Sequence, residues 1–177
     1  MAEEKKDKWV MGVALTTTVL AVCAAICSLR AAAFSTKIQI VTTKEANSWA
    51  YYQSKSIKEH NFRLQRDVFK LQRFLEEGMN PEARNFVEEK VKEYDKDVSR
   101  YEKEKEEIKQ DAEKLIAQQE VLKQHSANFA LAVMLLQIAI LMSSVAALIR
   151  KKAMWFVGLA FGVVGLVYMN NGFFLWF

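Results

Sequence analysis

The run Arg73-Phe74-Leu75-Glu76-Glu77-Gly78-Met79-Asn80-Pro81-Glu82-Ala83-Arg84 decides how this chain folds, and it holds the only proline of the sequence. On either side lies a charged, helix-forming stretch without glycine or proline, residues 30–77 and 82–128. Gly78 suits a left-handed helix end and Asn80 an N-cap. Pro81 suits the first position of a helix, where its missing N–H is no loss. Two arms of similar length joined by Gly78, Met79, Asn80 and Pro81 predict an antiparallel helical hairpin. Each arm would extend on the order of 70 Å at a helix's rise.

Beyond each arm the composition changes. Residues 9–29 and 129–149 carry no ionisable acid or base. Each is long enough to cross the roughly 30 Å hydrocarbon layer as a helix. A third apolar run, 154–177, is interrupted by Asn170, Asn171 and Gly172 before Phe173, Phe174, Trp176 and Phe177. Asn side chains in lipid cost free energy unless partnered, so the expectation is a helix ending near Met169 with an aromatic tail in the interface. The predicted organisation is a short N-terminal tail (1–8), a first span (9–29) and a hairpin stalk (30–128) with its turn at 78–81. A second span (129–149), a basic loop (150–153) and a third span with its aromatic tail (154–177) complete it.

Charge separates in the same way. Net charge is +4 and mean hydropathy −0.04, an average of apolar ends and a charged middle. The middle mixes both signs almost evenly, as a solvated helix pair does, and no basic stripe marks a nucleic-acid partner. Lys5, Lys6 and Lys8 precede the first span, and Arg150, Lys151 and Lys152 link the second to the third. The positive-inside rule places both clusters in the cytoplasm, with Trp9 and Trp155 anchoring one leaflet and the stalk on the opposite side. The first span then reads as an uncleaved signal anchor. Cys23 and Cys27 both fall inside it, so they define no disulfide framework.

Within the second arm, Val87, Val91, Tyr94, Val98, Tyr101, Ile108, Ala112, Leu115, Leu122 and Phe129 recur at four-three spacing, with Lys105, Gln119 and Ser126 in the remaining slots. This is a heptad seam. The upper first arm has a seam of its own: Ile57, Asn61, Leu64, Val68, Leu71 and Leu75. Folding at the turn sets Ile57 against Tyr101, Leu64 against Tyr94, Val68 against Val91 and Leu71 against Val87, so the two seams fit one antiparallel register. Lower down, that register puts small or polar residues opposite the second arm. Phe34, Ile38, Val41, Trp49 and Tyr52 then fall on another face. The expectation is that they form an assembly face toward another subunit; a local stutter turning Trp49 and Tyr52 inward is the alternative. In the spans, Gly158 and Gly162 form a GxxxG pair and Ala139, Ser143 and Ala147 step by four, spacings that allow close helix packing.

The sequence carries no signature of catalysis. His60 and His125 lie far apart along the stalk and read as solvated surface residues. No acid or histidine completes a metal site at Cys23 and Cys27. Walker, nucleophile-elbow and dinucleotide patterns are missing. No acid or base sits within a span to carry a proton or ion relay. The expectation is no enzyme, no cofactor and no metal.

The run from Trp49 through Tyr51-Tyr52-Gln53-Ser54-Lys55-Ser56-Ile57-Lys58-Glu59 to His60, with Tyr101-Glu102-Lys103-Glu104-Lys105 and the closing Gly172-Phe173-Phe174, resembles a bacterial membrane family catalogued as domain of unknown function 4337. The resemblance covers nearly the whole chain and implies a bacterial inner-membrane protein without adding an activity.

Taken together, the reading is an all-α membrane protein: three transmembrane helices with a long antiparallel coiled-coil hairpin outside the bilayer. Its expected role is a scaffold that self-associates as a homo-oligomer or serves as accessory subunit of a larger membrane complex, with the lipid bilayer as its other partner. The rival is an oligomeric channel or gating element whose pore is lined by Thr16, Thr17, Thr18 or Gln137. A sensor relaying movement across the bilayer is weaker, because the cytoplasmic parts are too short for an output domain.

Overall fold

The computed structural model describes residues 2–75, 78 and 80–176, with side chains from Trp9 onward; Met1, Glu76, Glu77, Met79 and Phe177 lie outside the described residues. Three α-helices, α1 (Ala2–Leu75), α2 (Pro81–Ile149) and α3 (Lys152–Phe174), make up the fold, with no strand among the described residues. All three are long and apolar enough to cross a membrane. α1 runs unbroken from the segment expected as a tail, through the first apolar run and into the first arm. Residues 2–8 therefore continue a helix instead of forming a separate tail.

The helix ends follow backbone chemistry. Asn80 Oδ1 accepts the Ala83 N–H at 2.7 Å, capping α2 just before Pro81. Gly78 does not take the left-handed conformation expected of it, since no described glycine has a positive φ. That conformation occurs instead at Arg150 and Leu175, with φ of 56° and 49°. At Arg150 the Lys151 N–H reaches back to Ala146 O at 3.2 Å, closing α2 in the manner of a Schellman motif. At Leu175 the N–H bonds to Asn171 O at 2.8 Å and ends α3.

α3 does not stop near Met169. It continues through Asn170 and Asn171 to Phe174 because both amides find partners. Asn170 Nδ2 donates to Leu166 O at 3.0 Å, and the fully buried Asn171 accepts the Trp176 N–H at 2.7 Å. An Asn whose hydrogen bonds are met inside the protein no longer carries the desolvation cost that argued for a break.

Contacts group the chain into two compact units, one of Met1–Ile40 with Gln118–Phe177 and one of Val41–Ala117. The first unit is apolar. Its core joins Leu20, Ala24 and Cys27 of α1 to Phe129, Ala132, Leu136 and Ala139 of α2. α3 lies against both helices along a line of buried glycines: an added Cβ on Gly162 would meet Leu20 and Ala139, and one on Gly165 would meet Leu136. The 23 residues of α3 extend about 34 Å, close to the thickness of a hydrocarbon layer.

In the second unit, α1 and α2 run antiparallel, pairing Phe62 with Tyr101 and Phe69 with Tyr94 at ring-centroid distances of 5.6 and 5.7 Å. Phe62 also lies 5.9 Å from the Tyr94 ring, so it sits between Tyr94 and Tyr101, level with Asp97 and close to the axial register expected from the aliphatic stripes; what differs is the face of α1 that turns inward.

Candidate functional site

The most elaborate chemistry of the chain lies between the two arms of the hairpin unit. Among the α1 residues buried or half-buried there, Tyr52, Lys55, Glu59, Phe62, Arg66 and Phe69 follow three-four spacing, with Ser56 half-buried beside Lys55. The same spacing holds further down α1 at Phe34, Ile38, Val41, Glu45 and Ser48, without an inserted or skipped residue. On α2, Val87, Val98 and Ala112 are buried and Val91, Tyr94, Tyr101 and Ile108 half-buried.

Charged heads and aromatic rings alternate along this interface. Glu59, 5 % exposed, takes a 2.5 Å contact from Arg63 and an ion pair from Lys105 across the hairpin. Arg63 also reaches Glu102 at 2.8 Å. Lys55 pairs with Glu104 at 2.5 Å, Arg66 with Asp95 at 3.1 Å and Arg73 with Glu88 at 3.1 Å. The ammonium of Lys55 lies 5.2 Å from the Tyr101 ring, and that of Lys105 lies 5.4 Å from Tyr52. Such stacking lets the long side chains shield the rings with their stems while the heads find counter-charges. The hydrogen bond to Glu104 holds the Lys55 ammonium above its ordinary pKa, and the same bond holds the Glu104 carboxyl below its own.

Two of the expected surfaces change place. The first-arm half of the anticipated hairpin seam, Ile57, Leu64, Val68 and Leu71, points away from α2 and is exposed. Phe34, Ile38, Val41 and Tyr52, expected to form an assembly face, lie on the inward face instead. Val41 is buried, Phe34 packs against the apolar core and stacks on His125 and Phe129, and Trp49 closes edge-on upon Tyr52 at 5.7 Å. No stutter is involved. The cause is the phase of one continuous helix: the seam set by the apolar residues at the base of α1 keeps its 3.5-residue period upward. The positions it reaches are Lys55, Glu59, Phe62 and Arg66 instead of the aliphatic ones. The aromatic pairs and cross-arm ion pairs make those positions an adequate interface, each ring pair adding about 0.5–1.5 kcal/mol beyond its area.

In the apolar unit, Gly158 and Gly162 of α3 meet Ala139 and Ser143 of α2. An added Cβ on Gly158 would stand 3.0 Å from Ala139 O and from Ser143 Oγ. Two further glycines continue the line, Gly165 against Leu136 and Gly172 against Phe129. The three- and seven-residue steps from Gly162 to Gly165 and on to Gly172 were the signal in the sequence, and Gly172 there reads only as an interruption. At one end of this unit Trp155 crosses Trp9 edge-to-face, centroids 6.5 Å apart, and donates its indole N–H to Thr16 Oγ1 at 3.2 Å. The hydroxyls of Thr16, Thr17 and Thr18 all donate back to carbonyls of their own helix. Gln137 is exposed.

His60 is exposed, whereas His125 is not the solvated residue expected. It is half-buried, stacked on Phe34 at 4.8 Å, with Nδ1 2.8 Å from Gly172 O. Since a carbonyl only accepts, Nδ1 carries the proton there. Arg30 and Lys37 lie over Phe173 and Phe34 at the same end. Among the described residues, no three His, Cys, Asp or Glu side chains gather in a way that could hold a metal ion.

These features define a class: an all-α chain of three long apolar helices, compatible with a multi-pass membrane protein, two of which continue into an ion-paired hairpin. Residues 9–175 match the model of a family described as domain of unknown function, DUF4337, and the chain belongs to that family. No curated protein and no solved structure matches it.

Proposed function

We propose that this chain is a structural membrane protein: a three-span anchor carrying a stiff helical hairpin that self-associates, either as a homo-oligomeric scaffold or as the accessory subunit of a larger membrane complex. The observation that carries this reading is the ladder of cross-arm ion pairs and stacked rings from Lys55–Glu104 to Arg73–Glu88. It holds the two arms together from Lys55 to Arg73. The anchor lies in the inner membrane of a bacterial cell. Arg150, Lys151 and Lys152 face the cytoplasm together with the N-terminus, and the hairpin stands on the other side as an antiparallel coiled coil in water. The contact between Trp9 and Trp155 supports one shared interface for the starts of α1 and α3.

The test is the mass of the full chain extracted from native membranes, read together with protease accessibility in oriented vesicles. An assembly larger than one copy, whose hairpin is cut only from the extracytoplasmic side, is the expected result. A monodisperse single chain with nothing co-purifying would sink the scaffold reading, and cleavage from the cytoplasmic side would reverse the orientation.

A further inference from the structure

The hairpin unit leaves one long face of α1 uncovered, and that face has the wrong composition for a surface meant to stay in water. Ile57, Leu64, Val68, Leu71 and Leu75 are 63, 52, 55, 56 and 67 % exposed. They are not scattered. With Asn61 they repeat at three-four spacing, each two positions beyond an inward residue of the seam. Two residues turn a helix by about 200°, so this stripe points away from α2. Below it, Asn47, Ala50 and Ser54 continue the spacing. From Asn47 to Leu75 the stripe contains no charged side chain, although Lys55, Lys58, Glu59, Arg63, Arg66, Asp67, Lys70 and Arg73 crowd the rest of the same helix. The charges are confined to the face that already has a partner and to its flanks.

From this stripe we propose that it seats a second copy of the chain, α1 against α1, parallel and in register. Three features select that occupant. Asn61, Val68 and Leu75 fall in one class of heptad position and Ile57, Leu64 and Leu71 in the other. At the centre of the stripe Val68 faces its copy in one class and Leu64 and Leu71 in the other, with Asn61 as the polar layer, the pattern that favours two parallel strands and fixes their alignment; Ile57 and Leu75 stand at the ends with the classes exchanged. The asparagine would meet its own copy across the axis, where each amide can both donate and accept, which an unrelated apolar partner would not offer. The flanks also permit it. In a parallel pair His60 approaches Gln65 of the other copy and Asp67 approaches Gln72, so no like charges are brought together. Anchoring both chains in one bilayer would align them in the same direction and raise their effective concentration. The helix itself is already held by α2, so association does not have to supply the cost of forming it.

The pair would place the two α1 arms at the centre and the two α2 arms outside. This inference rests on the scaffold reading and names its partner. The test is disulfide trapping in native membranes on the full chain with Cys23 and Cys27 changed to Ala. Ile57→Cys, Leu64→Cys and Leu71→Cys, made singly, should each give a covalent dimer under mild oxidation, several-fold above Lys96→Cys on the exposed face of α2. Same-position dimers at both ends of the stripe require the parallel alignment; a disulfide only between Ile57→Cys and Leu71→Cys chains would overturn it. A second variant, Leu64→Lys with Val68→Lys, should halve the particle mass while leaving the helical melt of the hairpin in place. If the wild type assembles and this variant assembles equally, with no trapping above the Lys96→Cys level, the α1 face is not the contact and the scaffold reading survives. If the wild type is a single chain, both fall.

Discussion

In the apolar unit the helices meet over glycine, alanine, leucine and phenylalanine, with α3 drawn in until Gly158 stands against a backbone carbonyl of α2. In the hairpin unit the same three-four spacing presents Tyr52, Lys55, Glu59, Phe62, Arg66 and Phe69, and the helices meet through rings and counter-charges. Under the proposed placement of the apolar unit in a bilayer and the hairpin in water, the solvent on the far side of each helix would account for the difference. Lipid is as apolar as a leucine side chain, so association inside it depends on close contact, and small residues provide that. Beside water, the buried Glu59 is matched by Arg63 and Lys105 and the half-buried Lys55 by Glu104, pairs that offset the cost of desolvation. The first arm therefore does not use Ile57, Leu64, Val68 and Leu71 in the seam with α2, and they are left for a different surface.

The largest effect expected from this contrast is at Gly158. A valine there would collide with Ala139 O, which cannot give way without moving α2, so Gly158→Val should destabilise the apolar unit by about 3 kcal/mol. The check is a thermal or denaturant melt followed through the fluorescence of Trp155, and an unperturbed melt would mean that α3 is not docked so closely.

Phe62→Ala should lower hairpin stability by about 2 kcal/mol at any protein concentration, because it removes rings stacked within one chain. Leu64→Ala should lower it only at concentrations where copies associate. Melts over a dilution series separate the two, and a concentration-independent loss for Leu64→Ala would put that residue back inside the hairpin.

Glu59→Ala leaves the Lys105 ammonium beside Tyr52 without its carboxylate and should cost about 1–2 kcal/mol, discounted for the partial exposure of Arg63. Replacing Glu59 and Lys105 together by methionine should recover most of that loss. A double-mutant cycle with no coupling between the two would contradict the pairing.

At Arg150, Arg150→Gly relieves a left-handed conformation and should raise stability by about 0.5–1 kcal/mol. A lower melting temperature would instead assign Arg150 a stabilising contact of its own.

The smallest effect is the pH dependence of the Lys55–Glu104 pair. Glu104 is held below its ordinary pKa, so its contribution is full above about pH 4.3 and fades as pH falls through the depressed value. Lys55 is held above its own, so its contribution is full below about pH 10.4 and fades as pH rises through the raised value. Lys55→Met should therefore differ from wild type at neutral pH and converge with it at both extremes. A difference that persists at acid pH would assign the effect to packing against Tyr101.

Much of this architecture could be read from residue order. The Asn80-Pro81 start of α2 follows from local chemistry, and the second-arm stripe from Val87 to Phe129 lies on the buried face because aliphatic and aromatic residues dominate it. The first arm was harder. Its most aliphatic stripe, Ile57 to Leu75, attracts any reading that equates apolar with inside, while the true inner face is written in Lys55, Glu59, Phe62 and Arg66. Only the phase carried up from Phe34, Ile38 and Val41 reveals that face. Asn171 misleads for a related reason: its cost in an apolar helix depends on an acceptor role toward Trp176 N–H that spacing alone does not show.

The most direct measurement is the distance between single nitroxide labels at position 64 in chains reconstituted at low density in bilayers, by pulsed electron paramagnetic resonance. Packed helix axes lie about 8–10 Å apart, so the account predicts one narrow, short-range distribution between copies at that position and a longer one for labels at position 96. A decay without dipolar modulation at position 64, or equal distances at both positions, would contradict it.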